Sequence, residues 1–152
     1  MGAPTVTSGP GVGGDPFAAH AGVRVEAADG DAPCGLAVAS LDPAPWAPAA
    51  GPVPTGAVLV LVDAAARAAA VAALTGPDRP AGPAALVATA TSVQHHRSAA
   101  GPLVAAASVP CEGVLADRAR DDGTVRFSVA VEVTDGEGQR VAVASVQWAA
   151  RV

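Results

Sequence analysis

The residue with the clearest chemical potential is Asp63, a carboxylate in the most apolar stretch of the chain, residues 57–74. Burial of a carboxyl group raises its pKa, so an acid in such a stretch becomes a better base near neutral pH. Asp63 could therefore activate water or attack a carbonyl carbon itself. The alternative is an ion pair with Arg67, one helical turn later, which stabilises an exposed helix by about 0.2–0.5 kcal/mol.

Thr55 and Gly56 stand just before this stretch and mark the predicted start of the helix, with Thr55 as its N-cap. The first N–H groups of a helix have no intrahelical partner, and the helix dipole adds positive potential there. Such groups can hold an oxyanion, and Gly56 leaves space for a carbonyl group beside the backbone. An ordinary helix start without a ligand is the alternative.

Two more residues are candidates for contact with a substrate. Arg97 follows His95 and His96 at the end of a predicted strand and could pair with phosphate oxygens, although a solvated strand end is the simpler interpretation. Neighbouring strand residues point to opposite faces and no third ligand is suitably spaced, so the two histidines do not predict a metal site. Trp46, in a proline-rich segment, could wall an apolar pocket or cover the core.

These residues need a scaffold, and the hydrophobic pattern predicts one long helix among six strands. The helix extends from about residue 56 to residue 74 and ends at Thr75-Gly76-Pro77. A short helical turn is predicted at residues 17–21. The strands are predicted at residues 22–27, 34–41, 84–94, 103–110, 124–134 and 139–148. We expect the first two to form a hairpin and the last four to form a meander.

The long helix has apolar residues on every side, so protein must surround it. An antiparallel sheet curled around one long central helix, an α+β fold, meets that requirement. A second subunit could cover whatever part of the helix the sheet leaves open.

Composition limits the class of protein. A chain of 152 residues predicts one domain, and 51% hydrophobic with 3% aromatic residues predicts a core of Val, Leu and Ala. The net charge of −5 and the lack of any basic run argue against a nucleic acid partner. A membrane span through residues 57–74 is disfavoured, because each charge of Asp63 and Arg67 costs about 2.5–3.5 kcal/mol at mid-bilayer.

The Gly- and Pro-rich residues 1–16 predict a disordered tail, which leaves residues 17–152 as the single folded domain. They show no basic start and no apolar core of a leader peptide, so we expect a cytoplasmic protein. Cys34 and Cys111 are far apart in sequence and lie in no paired motif, which predicts two free thiols in a reducing compartment.

Three segments carry a resemblance to a known family. Residues 53–63 run Val-Pro-Thr-Gly-Ala-Val-Leu-Val-Leu-Val-Asp, residues 93–104 form a strand followed by a Gly-Pro turn, and residues 133–148 form a hairpin. Together they resemble the hotdog-fold thioesterases, in particular the PaaI-like acyl-CoA thioesterases of the phenylacetate pathway. The resemblance covers residues 17–151 in element order.

The first segment is similar to the family pattern of His-Gly-Gly, an apolar run and a carboxylate. Pro54 stands at the family's His, Thr55 at the first Gly, Gly56 at the second and Asp63 at the carboxylate. The resemblance implies a hotdog fold with Asp63 as base or nucleophile and with the helix start as oxyanion hole. With an acyl-CoA substrate, the phosphate that Arg97 could contact would be a coenzyme A phosphate, and the pocket that Trp46 could wall would be an acyl pocket.

The substrate implied is an acyl-CoA or acyl-carrier-protein thioester, with no cofactor beyond the coenzyme A of the substrate and no metal. The family also implies a homodimer or homotetramer in which the helix start of one chain faces the carboxylate of another. A non-catalytic module that binds an acyl thioester, or serves as a dimerisation unit, is the alternative that Pro54 and Thr55 favour. A dehydratase on the same fold is a third hypothesis.

Overall fold

The computed structural model describes residues 16–29, 35–45, 51–75, 82–109 and 123–151. Residues 1–15 of the predicted tail, the two cysteines and Trp46 lie outside these residues, so the expectations about them stay predictions, whereas Pro16 is the first residue of a short helix. The described chain forms two helices and six strands. Their bounds are α1 Pro16–His20, β1 Val23–Asp29, β2 Leu36–Leu41, α2 Thr55–Leu74, β3 Ala85–His95, β4 Leu103–Ser108, β5 Thr124–Asp135 and β6 Arg140–Arg151.

The six strands of the described residues form one antiparallel sheet in the order β1-β2-β4-β5-β6-β3. The hairpin of β1 and β2 is confirmed, but the expected meander is wrong in one respect. β3 does not lie beside β4; it occupies the far edge and pairs with β6. Both edges of β4 are already used by β2 and β5, whereas β6 matches the length of β3 closely.

The sheet and α2 enclose the core. Every second residue of β4 and most alternate residues of β5 are buried, which is the pattern of a strand with one face toward a helix. α2 lies over β1, β2, β4 and β5 and reaches only the margin of β6. The buried side chains are mainly Val, Leu and Ala. Full burial of one Val or Leu side chain contributes about 1.5–3 kcal/mol to stability.

The helix itself explains why the sheet can approach it closely. Its second half is mostly alanine, and Ala65, Ala66, Ala69 and Ala70 are fully buried. Small side chains bring the strand backbones near the helix axis, most closely at Gly35 before β2, where an added Cβ atom would lie 2.2 Å from the carbonyl oxygen of Ala69. The α+β architecture of a curled antiparallel sheet around one long helix is confirmed.

Candidate active site

The helix start differs from its prediction by one residue. Pro54, with φ −59° and ψ 145°, is the N-cap, so Thr55 is the first residue within α2 and no side-chain hydrogen bond caps the helix. The Pro54 carbonyl accepts hydrogen bonds from the amides of Ala57 (3.0 Å) and Val58 (3.3 Å). The N–H groups of Thr55 and Gly56 have no carbonyl one turn earlier in the helix to bond.

Thr55 and Gly56 are both exposed. A Cβ atom placed on Gly56 would meet no other atom within 4 Å, so the packing of the described chain does not require glycine there. Open space beside N–H groups without helical partners, at the positive end of a long helix, is the arrangement that an oxyanion needs.

Asp63 lies two turns further along α2. Its side chain is 45% exposed, and its Oδ2 atom is 3.9 Å from Nε of Arg67, whose side chain is 46% exposed. The expectation that the apolar helix buries this carboxyl group is therefore not met within one chain. The reason is that the sheet covers the other faces of α2 and stops short of this one.

Gly56 and Asp63 share that open face. They are seven residues apart, which puts them about 20° apart around the helix and about 10 Å apart along its axis. A carbonyl group under attack must lie about 3 Å from both the attacking atom and the oxyanion donors. One chain therefore does not bring Asp63 and the first amides of α2 together on one carbonyl group.

The open face continues onto the sheet. Leu59, one turn before Asp63, is 41% exposed. Ala88 of β3 pairs with buried Trp148, so Ala88 lies on the helix side of the sheet. Ala88 is nevertheless exposed, and Leu86 on the same side is only half-buried. β3 is an edge strand with no fully buried residue. A second protein surface of complementary shape would bury these apolar groups.

Arg97 belongs to the same end of the molecule as the helix start. It lies just beyond β3, where its guanidinium donates a hydrogen bond to the side-chain oxygen of Gln139. Two residues later, the carbonyl of Ala99 accepts a hydrogen bond from Val53 N–H (2.7 Å), directly before the N-cap of α2. Backbone bonds thus connect the segment that carries Arg97 to the segment that carries Thr55.

Sequence reasoning missed Trp148 of β6. Its side chain is 1% exposed, and no described residue accepts a hydrogen bond from its indole Nε1. The guanidinium carbon of Arg67 lies 5.1 Å from the centre of its ring. The alternation of β6 would have placed Trp148 on the inner face, but only the packing of α2 on the sheet shows which helix residue lies over it.

Neither a metal site nor a membrane span follows from the described residues. No group of three or more His, Cys, Asp or Glu side chains among them could hold a metal ion. α2 is long and apolar enough to cross a membrane by length and composition, but it is the core helix of the fold and most of it is buried against the sheet.

Comparison with solved structures identifies the architecture. The chain superposes on the E. coli PaaI protein of the phenylacetic acid degradation operon with a TM-score of 0.62 and 20% identity, covering 91% of this chain and 85% of that one. The thioesterase HI1161 of Haemophilus influenzae gives a TM-score of 0.65 and 14% identity over 88% and 81% of the two chains. S. sahachiroi AziG superposes with a TM-score of 0.66 and 24% identity, covering 91% of this chain and 98% of that one.

No protein-family model and no curated protein sequence matches the chain. At these identities the structural likeness shows the fold, and the fold is the hotdog fold. The expected resemblance to the PaaI-like thioesterases is confirmed in the sense that such proteins are among the structural neighbours.

Proposed function

We propose that the protein hydrolyses acyl thioesters of coenzyme A or of an acyl-carrier protein. The observation that carries this proposal is the shared open face of α2, with half-exposed Asp63 at mid-helix and the first amides of the helix at Thr55 and Gly56. A base and an oxyanion site are the two parts that thioester hydrolysis requires. Structural neighbours that are thioesterases support the same reaction class.

In the proposed reaction, the Asp63 carboxylate takes a proton from water as the water oxygen bonds to the thioester carbonyl carbon. The carbonyl oxygen gains negative charge, which the N–H groups of Thr55 and Gly56 stabilise. The C–S bond then breaks, and the thiolate receives the proton that Asp63 accepted. In the alternative route Asp63 attacks the carbonyl carbon, the C–S bond breaks and the thiolate leaves, which forms a mixed anhydride. Water then hydrolyses the anhydride, which releases the acyl group as its acid, regenerates the Asp63 carboxylate and supplies the proton that the thiolate takes up.

The proposal includes a homodimer or a higher assembly of dimers. Because Asp63 and the helix start of one chain are about 10 Å apart along the helix, one carbonyl cannot contact both. We infer that Asp63 of one subunit works with Thr55 and Gly56 of another. The uncovered apolar residues of α2 and β3 are suited to burial between the subunits.

Arg97 is the proposed contact for the phosphate groups of the coenzyme. It lies at the end of the molecule where α2 begins, and its guanidinium suits phosphate oxygens. The oxyanion donors and the phosphate contact would then belong to one subunit, while Asp63 comes from the other. Trp46 stays a proposed wall of the acyl pocket.

The decisive experiment is thiol release by Asp63→Asn over a panel of acyl-CoA substrates. We expect turnover to fall at least about a hundredfold, the lower end for loss of a general base, while folding persists because Asn is nearly isosteric. Glu132→Gln is the matched control, since Glu132 also pairs with an arginine but on the solvent face of the sheet. Unchanged turnover in Asp63→Asn would leave Asp63 as one half of a surface ion pair.

A second candidate function is a non-catalytic module that binds acyl thioesters. Pro54 favours it, because a proline stands where the resembled family has a histidine and offers neither a side-chain hydrogen bond nor an N–H group. Binding of acyl-CoA measured by calorimetry, together with no thiol release from any substrate of the panel, would support this alternative.

A further inference from the structure

Arg67 contacts two very different groups. On one side its Nε atom is 3.9 Å from Oδ2 of Asp63, and on the other its guanidinium carbon lies 5.1 Å from the centre of the Trp148 ring. Asp63 and Arg67 are both about half exposed, whereas Trp148 is buried. Arg67 therefore lies between the proposed catalytic carboxylate and a fixed part of the core.

This arrangement differs from an ordinary surface ion pair. Exposed pairs on a helix contribute little, because two flexible side chains must be ordered to form them. Here the buried indole presents its face to the guanidinium, and the cation–π attraction already restricts the arginine side chain. Arg67 therefore loses less freedom when it pairs with Asp63 than an arginine in an ordinary exposed pair does.

Trp148 supports this interpretation. Since no described residue accepts a hydrogen bond from its Nε1, the polar edge of the indole contributes no hydrogen bond to the described fold. Trp148 instead presents a broad, buried aromatic face to Arg67.

Other charged groups on the elements packed against α2 are directed elsewhere. They lie on the solvent face of the sheet or at the ends of its strands and of α1, and among the described side chains they are His20, Arg24, Glu26, Arg126, Glu132, Asp135, Arg140 and Arg151. On β3, His95 pairs in register with buried Ala142 and so shares the helix side of the sheet.

We propose that Arg67, held against Trp148, is a positioning residue that orients the Asp63 carboxylate and keeps it ionised for proton transfer. The inference rests on the proposed function, because it gives Asp63 the role of base or nucleophile. The guanidinium favours the charged form of a neighbouring carboxylate, and only that form can accept a proton or attack a carbonyl. Arg67 acts through Asp63 and needs no contact with the substrate.

The test compares Arg67→Gln and Arg67→Lys with Arg140→Gln. Arg140 pairs with Glu132 at 3.0 Å with similar exposure, but on the solvent face of the sheet, so it is the matched control. For Arg67→Gln we expect kcat to fall about tenfold with KM unchanged, and the acidic limb of the kcat profile to move up by at least about 0.5 pH unit. Arg67→Lys should restore the position of the limb, and Arg140→Gln should alter neither.

A second measurement does not depend on activity. The Asp63 carboxyl carbon, followed by NMR at low salt, should be protonated at a pH at least about 0.5 unit higher in Arg67→Gln than in the parent protein. A rise in KM with unchanged kcat would make Arg67 a substrate contact and overturn the proposal, as would an unmoved Asp63 titration. Full activity of Asp63→Asn would instead overturn the proposed function.

Discussion

The amide of Thr55 allows the proposed oxyanion site to be tested at the level of one N–H group. Thr55 is the first residue of α2, and Pro54 before it has the extended backbone that a following proline demands. Proline is well tolerated at a first helical position because its missing N–H group had no intrahelical partner. Thr55→Pro should keep the helix but lower kcat of thiol release about 100-fold, the typical loss for one oxyanion donor.

Thr55→Ala is the control for that variant. It removes the same hydroxyl group but retains the N–H group, and no side-chain hydrogen bond caps the helix in the parent protein. Its kcat should stay within about threefold of the parent value, so that the proline effect is assigned to the amide. Equal losses in both variants would mean that the Thr55 side chain, rather than its N–H group, contacts the substrate.

At the residue scale, the sequence alone fixes the spacing of the proposed site residues that lie on one helix. Thr55, Gly56 and Asp63 are placed relative to one another by helical spacing alone, which depends only on chain position. The contact of Arg67 with Trp148 could not be predicted in this way. It depends on how α2 lies across β6, and helix–sheet packing is set by the whole core.

At the scale of elements, the close approach of α2 to the chain before β2 makes Gly35 a sensitive position. A Cβ atom there would lie 2.2 Å from the Ala69 carbonyl oxygen and 2.8 Å from Cβ of Ala73. Neither atom can move without displacing the helix, so Gly35→Ala should lower the free energy of unfolding by about 1–3 kcal/mol. The midpoint of urea unfolding measures this loss.

Gly136 in the turn between β5 and β6 supplies the comparison. A Cβ atom at Gly136 would meet nothing within 4 Å, so Gly136→Ala should leave the unfolding midpoint nearly unchanged or raise it slightly. If Gly35→Ala behaved in the same way, the helix would lie further from β2 than the structure indicates.

The bounds of the elements were largely predictable, whereas the neighbours of one strand were not. Alternation in β5 and the all-round apolar character of α2 identify those elements from their own residues. Alternation also tells which face of a strand is buried, but it does not tell which strand lies beside it. The position of β3 next to β6 follows instead from the free edges left once β4 is paired on both sides.

At the scale of the whole molecule, the sheet and the helix are offset. α2 covers β1, β2, β4 and β5 but not β3. As a result, Ala88 on the helix side of β3 and Leu59 on α2 are exposed, and Asp63 is half-exposed. The sequence predicted that a second subunit could cover the remainder of the helix. An assembly through this side would both bury apolar area and bring Asp63 of one chain toward Thr55 of another, which links oligomerisation to activity.

Mixing two inactive variants tests that link. Asp63→Asn keeps an intact helix start, and Thr55→Pro keeps an intact carboxylate. If each site combines the two chains, a heterodimer contains one fully intact site and one doubly altered site. After equal amounts are unfolded and refolded together, half of the dimers are mixed, so thiol release should recover to about a quarter of the parent activity.

Sedimentation of the same samples shows whether the refolded protein is dimeric, and refolding each variant alone gives the baseline. If each chain held a complete site, both chains of a heterodimer would be inactive and mixing would restore nothing. Recovery of thiol release is expected because Asp63 and the helix start of one chain are about 10 Å apart, too far for one carbonyl group to contact both. A dimer that forms but regains no activity would place both halves of the reaction on one subunit and contradict the shared site.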